Sequence, residues 1–211
     1  MNFYIIYLIL LICFTSCVFN APTDSSKRTP ILLISLDGLR ASSFDRFLVE
    51  NPHSFLKKQF VNVGIKSKYM KPSFTTLTFP NHYSIVTGLY IESHGIIGNS
   101  LYDPDKNEKV NFLGGNNSLE TKWWNSAEPI WLTAKNQGLK TASFFWPGSQ
   151  VWSRHPDFFL TYTESYSFKQ RCEEVVNWFT KFEMDFVTLY FNEPDYTGHS
   201  YGADSQEYRD A

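Results

Sequence analysis

The sequence has little net charge, few cysteines and no long apolar run, and each shortage narrows the range of possible functions. Its 19 Lys and Arg residues nearly balance its 21 Asp and Glu residues, which gives a formal net charge of −2. Proteins that hold a nucleic-acid duplex carry a basic surface, so this sequence does not indicate duplex binding. A nucleotide bound here is expected as a small substrate.

The N-terminal apolar run is too short to be predicted as a membrane anchor. It covers residues 1–17 as MNFYIIYLILLICFTSC, whereas a membrane-spanning helix needs roughly 20 apolar residues. An apolar core of this length followed by small and polar residues predicts a cleaved secretory signal over residues 1–17. Residues 18–29 are mostly polar and predict a linker, and residues 30–211 are long enough to bury the core of a folded domain.

Cysteine is scarce. Two of the three cysteines lie in the predicted signal, which leaves Cys172 in the mature chain. An odd cysteine in a secreted protein indicates a partner elsewhere or a free thiol, and a purely buried role is the alternative. Asn116, in the string Asn-Asn-Ser, is an N-glycosylation acceptor that becomes useful only if the chain is secreted.

Two acidic residues follow apolar runs of the kind that form buried strands. Asp37 follows the run ILLISL at residues 31–36, and Asp195 follows FVTLYF at residues 186–191 by a few positions. Such runs predict buried parallel strands. Ligands of open α/β sheets bind beyond the carboxyl ends of the strands, so both acids are candidate site residues.

Asp195 and His199 are four residues apart. A carboxylate oxygen and an imidazole nitrogen at this spacing can reach one cation, and this pair of donors suits zinc. The spacing alone is weak evidence. It gains weight because several elements of the sequence end in candidate ligands.

The stretch from Pro72 to Asn99 predicts a loop that leads into a helix. Pro80 suits a first helical turn, because it lacks a backbone N–H and has a fixed φ. Thr78 is then expected at or just before the helix N-terminus, where unpaired N–H groups and the helix dipole favour an anion such as an alkoxide or a phosphate. The alternative is that Thr78 or Asn81 merely caps the helix.

Strand and helix patterns alternate along the chain, which predicts an α/β fold with a mostly parallel sheet and helices on both faces. Ser126 is expected to cap a helix that runs through Lys135, and Ser167 with Gln170 forms a capping-box pattern before a second helix. Residues 102–124 are rich in Asn, Asp and Gly and predict a surface excursion.

Three groups of motifs together resemble the ectonucleotide pyrophosphatase/phosphodiesterase family of the alkaline phosphatase superfamily. The resemblance covers roughly residue 30 to the C-terminus, in the family's order. The motifs are Ser35-Leu36-Asp37-Gly38, the central TFPNHY…VTGLY…ESHGI string that starts at Thr78, and Glu193-Pro194-Asp195 with Gly198-His199-Ser200-Tyr201-Gly202.

The resemblance implies a reaction and its metal ligands. It implies two zinc ions per complete domain, the first held by Asp37 and Thr78 and the second by Asp195 and His199. Thr78 would attack phosphorus and form a covalent nucleotidyl-threonine, which water then hydrolyses. The implied protein is an extracellular hydrolase of phosphodiester or pyrophosphate bonds in nucleotides, secreted or attached to the cell surface.

The resemblance also implies which residues surround the substrate. Asn99 matches an asparagine that donates a hydrogen bond to a phosphate oxygen. Phe79, Tyr162 and Tyr190 match aromatic positions around the nucleoside, although Tyr162 could instead be a packed surface aromatic. His82 lies inside the central motif, as does His94, but neither corresponds to a family ligand, so both are expected to be structural.

The sequence departs from the family in two respects. Leu77 precedes the threonine where many members have lysine, so a positive charge is missing there and substrate preference is expected to differ. The family's remaining ligands, an Asp-His pair and a later histidine, lie downstream of the region matched by Asp195 and His199. We therefore expect an alkaline-phosphatase-like fold that is incomplete at its C-terminus, inactive as this chain alone, with any membrane anchor in a further C-terminal part.

Two alternatives to nucleotide hydrolysis stay open. Because the family also contains members that release choline phosphate, a lysophospholipid diester is an alternative substrate. A short, catalytically silent product that binds a nucleotide is the alternative outside the enzyme class.

Overall fold

The computed structural model describes residues 28–211. The predicted signal over residues 1–17 and most of the linker lie outside these residues, so the structure does not test them. The strands are β1 (Ile31–Leu36), β2 (Ser100–Asp103), β3 (Glu108–Asn111), β4 (Thr141–Phe144), β5 (Phe158–Leu160) and β6 (Phe186–Phe191). The α-helices are α1 (Ala41–Glu50), α2 (Thr78–Thr87), α3 (Ile91–His94), α4 (Ile130–Asn136), α5 (Phe168–Lys181), α6 (Asp195–Tyr201) and α7 (Gln206–Asp210).

The described strands form a four-stranded sheet in the order β1-β6-β4-β5 and a separate β2-β3 hairpin. In the larger sheet, β4 pairs in parallel with both β5 and β6. The Ile31 N–H donates a hydrogen bond to the Asp185 carbonyl, and the Asp37 N–H donates one to the Phe191 carbonyl. The residue numbers increase in the same direction along both strands, so β1 and β6 are also parallel. The predicted α/β fold with a mostly parallel sheet is confirmed.

Burial explains why the apolar runs form these strands. Every residue of β4 and β6 is buried, as expected of central strands in a parallel sheet. Two of their polar side chains satisfy each other, because the Thr188 hydroxyl donates a hydrogen bond of 2.8 Å to the Ser143 hydroxyl. The strands therefore bury hydroxyl groups without leaving them unpaired.

The chain divides into two compact units, which are described separately. Residues 35–72 and 191–211 form one unit, named here the carboxylate unit because it contains Asp37 and Asp195. Residues 28–34 and 73–190 form the other, named the threonine unit because it contains Thr78. Both β1 and β6 pass from the threonine unit into the carboxylate unit near their carboxyl ends.

Two predictions of local structure were wrong. Helix α4 begins at Ile130 with Pro129 at its N-cap position, so Ser126 does not cap it. The residue before a proline is disfavoured from helical backbone angles, which excludes Glu128 from the helix. Residues 102–124 are not simply a surface excursion, because they form most of the hairpin and bury Phe112 and Trp124.

The capping box of α5 is confirmed. The Ser167 hydroxyl accepts a hydrogen bond from the Gln170 backbone N–H, and the Gln170 side chain accepts one from the Ser167 backbone N–H. These bonds satisfy donors that a helix N-terminus leaves unpaired. Among residues 28–211, no helix is both long and apolar enough to cross a membrane.

Candidate functional site

In the carboxylate unit, the backbone ties the two candidate acids together. The Asp37 N–H donates a hydrogen bond of 3.0 Å to the Phe191 carbonyl at the end of β6. The Asp195 N–H in turn donates a hydrogen bond of 3.0 Å to the Asp37 carbonyl. The structure therefore brings Asp37 and Asp195 together beyond the ends of two neighbouring strands, where the sequence predicted ligand-binding residues.

Gly38 makes this close approach possible. Its φ is +71°, and a Cβ at this position would lie 2.5 Å from the Asp195 Cα. Glycine adopts positive φ without the steric cost that other residues incur. No side chain fits at position 38 unless the backbone of Asp195 moves away from that of Asp37.

His199 joins the acids through α6. Asp195 is the first residue of this helix, and His199 follows one turn later on the same face. The His199 Nε2 atom lies 3.3 Å from the Asp195 Oδ2 atom. The prediction that these two side chains can reach one cation agrees with this distance.

Burial raises the pKa of Asp195 to about 6, because it disfavours the charged form, and the negative charge of Asp37 contributes to the rise. His199 acts in the opposite direction, since an imidazole beside the carboxyl favours ionisation. A partly buried carboxyl group beside the negative charge of Asp37 creates a region in which a cation is favourable. The electrostatics of the carboxylate unit thus suit a metal ion.

Tyr208 stabilises the loop that contains Asp37 through contacts that the sequence did not predict. Its hydroxyl donates a hydrogen bond of 2.8 Å to the Gly38 carbonyl and accepts one of 3.1 Å from the Arg40 N–H. The Arg40 guanidinium lies 5.5 Å from the Tyr208 ring centroid. Tyr208 is buried in α7, so this last helix stabilises the loop after β1.

In the threonine unit, Thr78 is the first residue of α2. Leu77 precedes it with extended backbone angles, and no side chain caps the helix. Pro80 lies in the first turn, and Gly88 ends the helix with a φ of +69°. The predicted position of Thr78 at a helix N-terminus is confirmed, and the alternative that Thr78 or Asn81 caps the helix is wrong.

Asn81 instead holds the loop that leads to Thr78. Its buried side-chain amide donates hydrogen bonds to the Thr75 carbonyl at 2.8 Å and the Leu77 carbonyl at 3.0 Å. Its Oδ1 atom accepts a bond of 2.8 Å from the Ser73 N–H. These bonds fix residues 73–77 against the helix, and so fix the direction in which the chain enters Thr78.

Asn99 lies against the same helix start. Its Oδ1 atom accepts a hydrogen bond of 3.0 Å from the Phe79 N–H. Because the amide oxygen accepts this bond, the Nδ2 group is the donor that the same side chain can offer to a ligand. This bond is compatible with the predicted role of Asn99 as a donor to a phosphate oxygen.

The three candidate aromatic residues occupy different surroundings within the threonine unit. The Phe79 ring stacks on Phe112, with centroids 5.7 Å apart and an interplanar angle of 24°. Tyr190 is buried in β6, whereas Tyr162 is 45% exposed in the loop after β5. The centroids of the two tyrosine rings are 6.5 Å apart, so the structure brings Tyr162 and Tyr190 together as a pair.

The two histidines of the central motif are structural groups. His82 is fully buried, its Nδ1 atom donates a hydrogen bond of 2.8 Å to the Thr78 carbonyl, and burial lowers its pKa to about 3. His94 is also fully buried and bonds to Ser84 and to the Ile96 N–H. Burial and these internal partners agree with the expectation that neither is a metal ligand.

The donor atoms fit zinc in type but do not complete a site. Carboxylate oxygens and an imidazole nitrogen are zinc ligands. Within residues 28–211, however, no group of three or more His, Cys, Asp and Glu side chains is placed to hold an ion. Because zinc usually takes three or four protein ligands, neither Asp37 alone nor the pair of Asp195 and His199 would complete a zinc site.

Two surface residues were also predicted to be modified or paired. Asn116 is exposed in the loop after β3, as a glycosylation acceptor must be, while the serine of its acceptor string, Ser118, is buried. Cys172 is exposed on α5 and makes no disulfide within the described part of the chain. Neither observation tests the modification itself.

Comparison with known proteins places this arrangement in context. Residues 31–211 match the family model described as Type I phosphodiesterase / nucleotide pyrophosphatase. The chain is 42% identical over 201 residues to bis(5'-adenosyl)-triphosphatase enpp4 of Xenopus laevis; this match covers 92% of the chain and 42% of that protein. It is 47% identical over 184 residues to ectonucleotide pyrophosphatase/phosphodiesterase family member 1 of Homo sapiens; this match covers 84% of the chain and 19% of that protein.

A solved structure shows the same fold. Murine ectonucleotide pyrophosphatase / phosphodiesterase 5, as an inactive threonine-to-alanine variant in complex with AMP, superposes with a TM-score of 0.76 at 33% identity. The match covers 87% of this chain and 48% of that one. The chain thus spans less than half the length of each of these relatives.

Proposed function

Because the chain belongs to the type I phosphodiesterase/nucleotide pyrophosphatase family, we propose that the protein is an extracellular, metal-dependent hydrolase of phosphodiester or pyrophosphate bonds in nucleotides. The observation that carries the proposal is the start of α2. There Thr78 occupies the first helical position and the Asn99 amide is oriented by the Phe79 N–H. A nucleophilic hydroxyl, a helix N-terminus and an amide donor meet where a phosphate would bind.

The proposed reaction begins at the Thr78 hydroxyl. Its Oγ1 atom attacks phosphorus, the bond from phosphorus to the leaving oxygen breaks, and a covalent nucleotidyl-threonine forms. Water then cleaves the bond between Thr78 and phosphorus, which releases a nucleoside monophosphate and restores the hydroxyl. The Asn99 Nδ2 group and the N-terminus of α2 stabilise the negative charge on the phosphate oxygens during both steps.

We propose two zinc ions as the cofactors of the complete domain. The proposed ligands are Asp37 and Thr78 for the first ion and Asp195 and His199 for the second. Bound zinc supplies positive charge that lowers the pKa of a hydroxyl and stabilises a leaving oxygen. The raised pKa of Asp195 beside Asp37 supports a cation at this position.

The substrate is proposed to be a small nucleotide. Phe79, Tyr162 and Tyr190 would bind the nucleoside, since aromatic rings offer faces on which a base can stack. Two names support this class of substrate: one relative is called a bis(5'-adenosyl)-triphosphatase, and the similar murine structure is a complex with AMP. The inactivity of that structure's threonine-to-alanine variant agrees with a threonine nucleophile.

A lysophospholipid diester is the second candidate substrate. The loop before Thr78 carries exposed apolar side chains, with Phe74 90% exposed and Leu77 40% exposed. An apolar approach to the nucleophile suits a lipid better than the charged phosphates of a nucleoside triphosphate. The proposal would shift to this substrate if a lysophospholipid were turned over faster than a nucleotide ester.

The proposed location is the extracellular space or the outer cell surface. It rests on the predicted signal over residues 1–17 and on the acceptor Asn116, which is exposed. Glycosylation of Asn116 would appear as a mass shift that glycosidase treatment and an Asn116→Gln change both remove.

Thr78 provides the direct test of the proposed function. In the protein expressed from its complete transcript, Thr78→Ala is expected to abolish hydrolysis of a nucleoside 5'-phosphate ester, by about 1,000-fold or more, because the nucleophile is removed. Thr78→Ser should retain measurable activity, since it keeps a hydroxyl. Acid quenching during turnover should trap a nucleotidyl adduct on a peptide that contains Thr78. Unchanged activity in Thr78→Ala would eliminate the assigned nucleophile, and nucleotide binding without turnover in the wild-type protein would favour the silent binder.

A further inference from the structure

Arg171 is a buried arginine that the proposed reaction does not use. It lies in the first turn of α5 and is only 3% exposed. Burial lowers the pKa of its guanidinium, but an arginine keeps its charge at neutral pH. A charged group is rarely buried unless its donors are used, so the contacts of Arg171 indicate what it does.

The guanidinium joins two chain segments that end near the tyrosine pair. Its Nε atom donates a hydrogen bond of 3.2 Å to the Tyr166 carbonyl, and its Nη1 atom donates one of 3.2 Å to the Tyr190 carbonyl. The first carbonyl lies just before α5 and the second in β6. Arg171 therefore fixes the backbone of Tyr190 relative to the start of α5.

The same guanidinium reaches the second tyrosine through an aromatic ring. It lies 5.0 Å from the centroid of Phe145, a distance at which a cation is attracted to a ring face. The Phe145 ring lies 5.2 Å from the Tyr162 ring. Phe145 has a φ of +63°, a conformation that is unfavourable for an aromatic residue, so the contacts on both sides of its ring help to hold it there.

These contacts form a closed set within the threonine unit. Arg171 contacts Phe145, Phe145 contacts Tyr162, Tyr162 lies beside Tyr190, and the Tyr190 carbonyl returns to Arg171. Tyr162 lies in a loop and is 45% exposed, and Phe145 links its ring to the guanidinium. One guanidinium thus contacts both the ring that packs on Tyr162 and the backbone of Tyr190.

We propose that Arg171 is a positioning residue that sets the spacing of Tyr162 and Tyr190 and thereby determines how tightly the nucleoside part of a substrate is bound. This inference rests on the proposed function, because it takes the tyrosine pair as the nucleoside-binding surface. Arg171 acts through the two tyrosines and makes no contact with the reacting phosphorus. Lysine cannot replace it, since a single ammonium group lacks the planar fork that bonds two carbonyls and lies over a ring.

The test compares two esters with the same leaving group, thymidine 5'-(p-nitrophenyl phosphate) and bis(p-nitrophenyl) phosphate. In the protein expressed from its complete transcript, Arg171→Lys is expected to raise KM for the nucleoside ester by about 5- to 10-fold, in the range that one aromatic contact supplies. We expect kcat to stay within about twofold. For the ester without a nucleoside, neither constant should change. Equal losses with both esters would show a merely structural role and overturn the proposal.

Three further variants keep the result interpretable. Phe145→Leu removes the ring between Arg171 and Tyr162, so it should reproduce the selective rise in KM even if Arg171→Lys fails to fold. In a Tyr162→Ala background, Arg171→Lys should add less than about twofold to KM; fully additive effects contradict the proposal. Lys169→Met, an exposed change on the same helix that removes only the ion pair with Glu173, should leave both esters unaffected.

Binding measurements separate this inference from the proposed reaction. In a Thr78→Ala background, Arg171→Lys should weaken the binding of AMP by about 5- to 10-fold, while the binding of inorganic phosphate stays unchanged. This result would support the positioning role even if the wild-type protein hydrolysed neither ester. Unchanged AMP affinity, or an equal loss for AMP and phosphate, would overturn the role of Arg171 without affecting the assignment of Thr78 as nucleophile.

Discussion

At the scale of single residues, Gly38 is the position where one added carbon atom is expected to separate the acidic pair. Gly38→Ala places a Cβ 2.5 Å from the Asp195 Cα and also strains a backbone with a φ of +71°. We expect the free energy of unfolding to fall by about 2–4 kcal/mol. Hydrolytic activity is expected to fall with it, because Asp195 must shift. Chemical denaturation and initial-rate measurements check both effects.

Gly88 supplies a matched control for this change. Its φ is +69°, nearly the same as that of Gly38, but a Cβ there would meet no atom within 4 Å. Gly88→Ala should therefore cost only the backbone strain, about 1 kcal/mol, and leave activity largely intact. If the two variants were equally destabilised and equally active, the close approach of Gly38 to Asp195 would have no functional meaning.

Single residues differ in how well the sequence predicted their surroundings. Asp37 and Asp195 could be placed at strand ends because each follows an uninterrupted apolar run, and Thr78 could be placed at a helix start because Pro80 marks a first turn. The bond from the Tyr208 hydroxyl to the Gly38 carbonyl could not be predicted. It joins residues 170 positions apart, and no local pattern encodes such a contact.

At the scale of secondary-structure elements, His94 couples α2 to α3. Its Nδ1 atom accepts a hydrogen bond of 3.1 Å from the Ile96 N–H, so the neutral ring carries its proton on Nε2 and donates to the Ser84 hydroxyl 2.8 Å away. A second proton on the ring would break the bond from Ile96. The neutral imidazole is thus part of the packing between the two helices.

This coupling predicts a dependence of stability on pH. Burial lowers the pKa of His94 below its ordinary value near 6.5. Below about pH 6.5 the His94 side chain takes up a proton in the unfolded chain but not in the folded chain. The free energy of unfolding should therefore decrease as pH falls from about 6.5. The decrease is at most about 1.4 kcal/mol per pH unit for this group. Denaturation at pH 7.5 and pH 5.5 measures the change. His94→Gln should reduce the slope of the free energy of unfolding against pH; an unchanged slope in this variant would contradict the role given to His94.

The errors in predicting elements have physical causes. The serine at position 126 resembled a helix cap, but the conformational restriction that Pro129 imposes on Glu128 moves the start of α4 to Ile130. The polar residues of 102–124 masked a hairpin in which Val110 and Phe112, on either side of the polar Asn111, are both buried. Strands β1, β4 and β6 were predictable, since their apolar runs are long enough to indicate a strand whatever residues flank them.

At the scale of the whole molecule, the proposed zinc ions predict that a chelator abolishes hydrolytic activity. Incubation of the protein from its complete transcript with a strong chelator should remove hydrolysis by more than about 10-fold, and added zinc should restore it. Asp195→Asn should weaken the response to zinc, because it removes one charge of the acidic pair. Zinc content measured by elemental analysis should fall in parallel with activity. Full activity in metal-free protein would contradict the cofactor assignment.

The sequence predicted the class of fold and the family better than it predicted how the candidate site is supported. The parallel sheet follows from apolar runs that alternate with helical patterns, and the motifs around Asp37, Thr78 and Asp195 indicated the family. The packing that holds the aromatic residues, such as the contact of Arg171 with Phe145, depends on side-chain directions. Those directions are decided only when the elements pack together.

The division of the carboxylate unit into two distant chain segments has a consequence for biosynthesis. Asp37 leaves the ribosome long before Asp195, which is 158 positions later in the chain. At about 5–20 residues per second, the second acid follows the first by roughly 8–30 s. From residue 99 onward, the emerging chain carries Asp37 and the complete Thr78 segment but not yet Asp195. The acidic pair that is proposed to bind metal can therefore assemble only late in translation.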